Sequence, residues 1–198
     1  MTIVGEERVS VSEAITTTAP RYRGLVVRMV AAAVLDRRVY EEVSGDSSAN
    51  GQALLAVVLA GAFNGLGLAG RLGGWGLSAG IGAAVLGWFL WTVMILGVGR
   101  LLGHRAEGSL LRALAFTNAP GVMLVFGIVP IVGPLVRVLV VVWQLVAAIV
   151  AIQAVLRVPR GRSVMIAVAA FLIYLLAGVG LGYWAMEDTA EETRAVSV

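Results

Sequence analysis

The chain has no cysteine and no lysine, one histidine and five prolines in 198 residues. Without cysteine, disulfides, thiol catalysis and cysteine-ligated metal sites are excluded. Haem ligation, metal catalysis and intramembrane proteolysis each need several ligands or a positioned base. The lone His104 stands in a Gly103-His104-Arg105-Ala106-Glu107 loop and reads as a solvated residue. No catalytic residue, metal site or cofactor is therefore expected. Charge is scarce as well: 14% of residues are charged and 59% hydrophobic, against roughly 25% and 45–50% in a soluble domain. A soluble fold of this size would lack the polar surface to cover its core, whereas a bilayer removes that need. The isoelectric point near 9.9 does not point to nucleic acid, because the net charge is only +3 and the arginines flank apolar segments. The first residues do not read as a signal peptide, since Glu6, Arg8 and Glu13 interrupt any apolar stretch.

What is present is a series of long uncharged runs. Arg112 and Arg137 enclose 24 uncharged residues, and Arg162 and Glu187 another 24. A hydrocarbon core of about 30 Å takes roughly 20 helical residues to cross, and runs this continuous close their backbone hydrogen bonds as helices. The expected fold is an all-α integral membrane protein with five spans, at about 52–70, 75–99, 110–132, 138–156 and 163–186. A flexible polar tail over 1–19 precedes them, and an acidic tail over 187–198 follows. Between Pro20 and Ser44, apolar Tyr22, Leu25, Val26, Met29, Val30, Ala33 and Val34 follow a 3.6-residue spacing. Arg21, Arg23, Arg28, Arg37 and Arg38 largely fill the remaining arc. This predicts one amphipathic helix over 20–44, either lying in the headgroup region with its arginines toward anionic lipid or packed on the cytoplasmic side of the bundle.

Arginine placement predicts the orientation. With the N-terminus inside, twelve arginines are cytoplasmic (Arg8, Arg21, Arg23, Arg28, Arg37, Arg38, Arg100, Arg105, Arg112, Arg157, Arg160 and Arg162). Three lie outside (Arg71, Arg137 and Arg194). Five spans then put the C-terminus outside a cell membrane.

Inside the spans, small residues recur every four positions, at Gly76, Gly80 and Ala84 and at Gly178 and Gly182. Such faces let membrane helices approach closely, within the chain or between chains. Pro120 interrupts the third span beside Thr117 and Asn118, and cannot donate to the carbonyl of Phe116, so a kink or unwinding is expected there. Pro130, Gly133 and Pro134 mark a short connection to the fourth span. No acidic residue lies within the five spans, which argues against ion-coupled transport. Asn118 and Gln153 fall at similar depth, which suggests an interhelical hydrogen bond. Gly65-Leu66-Gly67-Leu68-Ala69-Gly70 matches a nucleotide-binding spelling only by letter, because it ends an apolar helix and not a strand-to-helix turn.

The order of features from Arg28 onward resembles the Yip domain family, the Ypt-interacting proteins, in its bacterial branch. The resemblance rests on Arg28-Met29-Val30, Leu35-Asp36-Arg37-Arg38-Val39-Tyr40-Glu41-Glu42 and Gly51-Gln52-Ala53-Leu54-Leu55. It continues with Leu110-Leu111-Arg112-Ala113-Leu114-Ala115-Phe116, Ala119-Pro120, Ile128-Val129-Pro130 with Gly133, and Trp143, covering roughly residues 22–186. It implies five spans, a cytoplasmic N-terminus and a role without catalysis. It also implies that Pro120, Pro130, Gly133 and Trp143 are structural markers. Eukaryotic members are linked to Rab GTPases and vesicle traffic, a role not carried over here. The expectation is a scaffold or accessory subunit that binds other membrane proteins, associates with itself or organises lipid. The alternative is a small permease or channel component with the Pro120 break lining a path.

Overall fold

A computed structural model describes residues 22–104 and 109–177. Its described residues contain five helices long and apolar enough to cross a membrane. Two short helices come first, α1 (Leu25–Ala33) and α2 (Arg37–Gly45). The spanning helices are α3 (Asn50–Leu72), α4 (Gly76–Leu101), α5 (Ser109–Phe116) continued by a 3-10 helix (Ala119–Ile128), α6 (Val132–Leu156) and α7 (Arg160–Ala177). The tails over 1–19 and 187–198, Arg21, Gly178, Gly182 and the end of the fifth span lie outside the described residues.

The single helix expected over 20–44 is two helices. Leu35 takes a left-handed conformation, φ 63°, which costs a non-glycine residue about 1–2 kcal/mol. Its amide and that of Asp36 bond back to the carbonyls of Ala32 and Ala31 at 3.0 Å, closing α1. Asp36 then caps α2 by accepting from the amide of Arg38 at 3.0 Å. Two carbonyls at the end of α1 also accept from other elements. Tyr40 Oη donates to Ala32 O at 2.9 Å, and Trp143 Nε1 to Ala33 O at 2.9 Å. Burial raises the pKa of the Tyr40 hydroxyl, keeping it a neutral donor.

α2 buries Val39, Tyr40 and Val43 against α5 and α6, while Arg37 and Glu41 pair in solvent at 2.9 Å. α3 and α4 form a hairpin whose turn is the 3-10 segment Gly73–Trp75. Its inner seam carries Gly61 and Gly65 on one side and Gly76 and Gly80 on the other. A Cβ placed on Gly80 would come within 2.4 Å of Gly65 N and 2.5 Å of Gly61 O, so the two backbones touch.

The third span breaks as its proline requires, and further than a kink. α5 stops at Phe116, Thr117 and Asn118 make a turn, and the ten residues Ala119–Ile128 wind as a 3-10 helix with Pro120 in its first turn, where no amide donor is needed. Its tighter course brings Gly127 against Gly67 and Gly133 and sets Gly121 on Ala60. The fourth span begins at Val132, not near 138: Gly133 and Pro134 belong to the first turn of α6, where proline is tolerated. The core runs from α2 through α5 and α6, with Phe116, Leu110, Leu114, Ile152, Ile95 and Ile166 fully enclosed.

Candidate functional site

Three groupings of polar or close-packed residues stand out, and the first overturns an expectation. Arg28 does not face lipid headgroups; it is 4% exposed. Its guanidinium donates to Tyr22 O at 3.1 Å, Gln52 Oε1 at 3.1 Å, Asp46 Oδ2 at 2.6 Å and Glu42 Oε1 at 3.5 Å. The arc that seemed polar is thus inward at Arg28 because α2 and α3 bring acceptors to it. The outward face of α1 is apolar instead, with Val26, Val27, Val30 and Val34 all more than half exposed. Arg23, Arg37 and Arg38 are exposed. Asp46 also accepts from the hydroxyl and amide of Ser48 at 2.5 and 3.0 Å. Those bonds and Arg28 hold its carboxyl below the usual carboxylate range.

Arg112, at the start of the third span, acts as a second clamp. It donates to Val43 O at 3.1 Å, Ser44 O at 2.5 Å and Asn50 Oδ1 at 3.3 Å, taking up free carbonyls at the end of α2. Both arginines therefore fasten the N-terminal helix pair to the bundle.

The second grouping is the glycine seam. Gly76, Gly80 and Ala84 all face α3, with the Ala84 methyl 2.8 Å from where a Gly61 Cβ would stand. The partner glycines Gly61 and Gly65 were not singled out from the sequence, although their own four-residue spacing is the same signal.

The third is a cavity of about 260 Å³ to which all five spans contribute. Asn64 of α3, Trp88 and Trp91 of α4, Thr117 and Asn118 of the break, Gln144 of α6 and Tyr174 of α7 bring polar groups to its wall. Trp91 meets Phe171 and Tyr174 edge-on, each at 6.1 Å between ring centres. Trp88 and Gln144 each stand about twelve residues, or roughly 18 Å, from the ends of their helices, so the cavity lies at mid-bundle. Its described lining residues include no charged side chain. The indole nitrogen of Trp88 is buried and has no hydrogen-bond partner among the described residues.

Asn118 and Gln153 do not pair. Asn118 Nδ2 donates to Leu114 O and Ala115 O at 3.3 and 3.2 Å, and Thr117 Oγ1 to Leu114 O at 2.7 Å. The chain break freed those carbonyls closer to hand, and a local acceptor wins over one on another helix. Pro120 is buried but does not line the cavity; Thr117 and Asn118 do. Pro130 sits exposed in the turn after the 3-10 helix. His104 is half-buried, with Nε2 enclosed and unpartnered among the described residues, which differs from the solvated loop residue expected. Among the described residues, no group of three or more His, Cys, Asp or Glu is placed to hold a metal ion.

The family model of the Yip1 domain matches residues 33–182. The match begins at the end of α1 and takes in Arg112, the Glu42, Asp46 and Gln52 acceptors of Arg28, the seam and the cavity. No curated protein and no solved structure matches the chain.

Proposed function

Because the chain belongs to the Yip1 domain family, we propose that it acts without catalysis, as a membrane scaffold or accessory subunit that binds other membrane proteins. The observation that carries this reading is how little of α4 is covered by the described residues. Only 11% of its apolar window is buried inside the chain, against 44% for the third span and 39% for the first. α4 meets α3 along the glycine seam and α7 through Trp91. Leu86, Phe89, Leu90 and Val93 are left on its free side, a surface for a neighbouring helix. Gly82 and Gly97 on the same helix have open space around them, so a partner can approach closely there. Purification of the full chain in mild detergent tests this. A stoichiometric membrane partner, or a defined homo-oligomer, is expected, and its loss on Phe89→Arg would locate the contact on α4. A chain that stays monomeric and alone across mild detergents counts against the scaffold role.

A second reading, a small permease or channel component, is favoured by one observation: Thr117 and Asn118 of the break line the mid-bundle cavity. Solute flux into liposomes containing only this chain, abolished by Asn118→Leu, would support it.

The proposed orientation has the N-terminus in the cytoplasm and the C-terminus outside a cell membrane. The arginine asymmetry supports it, and Arg112 keeps α2 at the same end of the bundle as the start of the third span. In that frame α1 reaches Trp143, thirteen residues or about 20 Å from the Leu156 end of α6. α1 then lies within the inner leaflet with its valine face in lipid, deeper than a headgroup-level helix. Single cysteines at Ser47, Gly103, Gly161 and Ser197 test the topology, since no native cysteine competes. Only the cysteine at Ser197 is expected to react with an impermeant reagent from outside.

A further inference from the structure

The ends of α4, α6 and α7 that share one side of the bundle are basic, and packing brings their arginines to one level. Trp91 of α4 meets Phe171 and Tyr174 of α7 edge-on. Nine residues further along α4 stands Arg100, and nine residues back from Phe171 along α7 stands Arg162. The second and fifth spans run in opposite directions, so both arginines lie about 14 Å from that contact, toward the same side. Arg160 opens α7, and Arg157 closes α6 in a left-handed conformation, φ 52°. Only Arg157, Val158 and Pro159 join the two helices, and Val158 is buried, which holds this short turn against the bundle.

Arg100, Arg157, Arg160 and Arg162 are all exposed, and none has an ion-pair partner among the described residues. The described acidic residues, Asp36, Glu41, Glu42 and Asp46, all belong to the N-terminal helix pair and its caps. The sequence has no acidic residue from 108 to 186. Unlike Arg28 and Arg112, which bond to the chain's own acceptors, these four leave their charge to a counter-anion from outside. Beyond them the surface is apolar: Arg160, Val164, Val168 and Leu172 follow at four-residue steps on α7, and all are exposed. A cationic end above an apolar strip fits a molecule with an anionic head and a hydrocarbon tail.

We propose that the arginine face formed by Arg100, Arg157, Arg160 and Arg162 binds the headgroup of an anionic phospholipid, whose acyl chain lies along Val164, Val168 and Leu172. Guanidinium groups take phosphate oxygens through paired hydrogen bonds. A zwitterionic headgroup brings its own ammonium into competition, so the surplus positive charge selects the anionic lipid. The site depends neither on the contact proposed on α4 nor on the proposed orientation, which decides only the leaflet.

The full-length chain, delipidated in neutral detergent, is offered dioleoyl phosphatidylglycerol and dioleoyl phosphatidylcholine, separately and in equal mixture. Native mass spectrometry counts the bound lipid, and melting temperature follows saturation. Phosphatidylglycerol is expected to be retained in preference, to raise the melting temperature saturably, and to lose that advantage at high salt. Arg160→Gln with Arg162→Gln is expected to weaken its binding about 25-fold, about fivefold per arginine, with a lipid-free melting temperature near wild type. Arg157→Gln alone is expected to weaken it about fivefold, and provides the reading should the pair fail to fold. Arg23→Gln with Arg38→Gln removes the same charge elsewhere and is expected to bind as wild type. Equal retention of the two lipids, or equal losses from the two Gln pairs, overturns the proposal. Displacement of the lipid by inorganic phosphate at comparable concentration also overturns it, since the site would then take a free anion.

Discussion

Replacing Gly80 by alanine tests how the α3–α4 hairpin is held. The added methyl carbon would stand 2.4 Å from the backbone nitrogen of Gly65 and 2.5 Å from the carbonyl oxygen of Gly61. Favourable carbon contacts lie near 3.5–4.0 Å, so the helices must part by about 1 Å. No flexible side chain can yield instead, because both neighbours are backbone. Overpacking of this kind costs about 1–3 kcal/mol. The better helix propensity of alanine returns up to about 1 kcal/mol, leaving a net loss of up to about 2 kcal/mol. Gly82→Ala on the same helix meets nothing within 4 Å and retains only the propensity gain. Reversible unfolding in mixed micelles, followed by circular dichroism, compares the two. The double variant Gly61→Ala with Gly80→Ala is expected to be non-additive, since one separation relieves both clashes. If Gly80→Ala unfolds at the same denaturant level as Gly82→Ala, the seam is not what joins these helices.

Arg28→Met should destabilise the protein by about 2–3 kcal/mol, toward the low side of the range for broken buried pairs because Glu42 and Asp46 keep some access to water. Arg23→Gln, on an exposed residue, should stay within about 0.5 kcal/mol in the same unfolding assay. Asp46 has its folded pKa below the ordinary value, so its stabilisation is fully present above about pH 4 and is lost as pH falls through the folded value; melting curves from pH 7 to 2.5 should fall less steeply for Asp46→Asn than for wild type. Pro120→Ala should leave the melting temperature nearly unchanged, since the first turn of the 3-10 helix needs no donor there; a large loss would mean that the ring itself is packed for a purpose. A fluorophore on a cysteine at Val30, more than half exposed on α1, should be quenched more strongly by spin labels on the acyl chain than by labels on the headgroup, and the reverse order would return α1 to the membrane surface.

Much of the architecture was legible because one physical variable, the cost of a charge in hydrocarbon, marks it directly in the chain. The 24-residue uncharged intervals between Arg112 and Arg137 and between Arg162 and Glu187 each announce a span, although α6 starts five residues before Arg137, and Pro120 must break the third span because it lacks a donor. What the tertiary structure decided are matters of partnership. Arg28 belongs to the outer arc by periodicity, yet Glu42, Asp46 and Gln52 turn it into the best-connected buried side chain described. Leu35 carries no breaker signal, and its left-handed turn persists because Asp36, Tyr40 and Trp143 meet the helix ends on either side. Asn118 and Gln153 share a level in the chain but not a bond, since depth along a helix says nothing of azimuth. The cavity brings together Asn64, Trp88, Thr117, Gln144 and Tyr174 from five separate spans. Periodicity reports which face of a helix is apolar; only packing determines which neighbour, lipid or void that face meets.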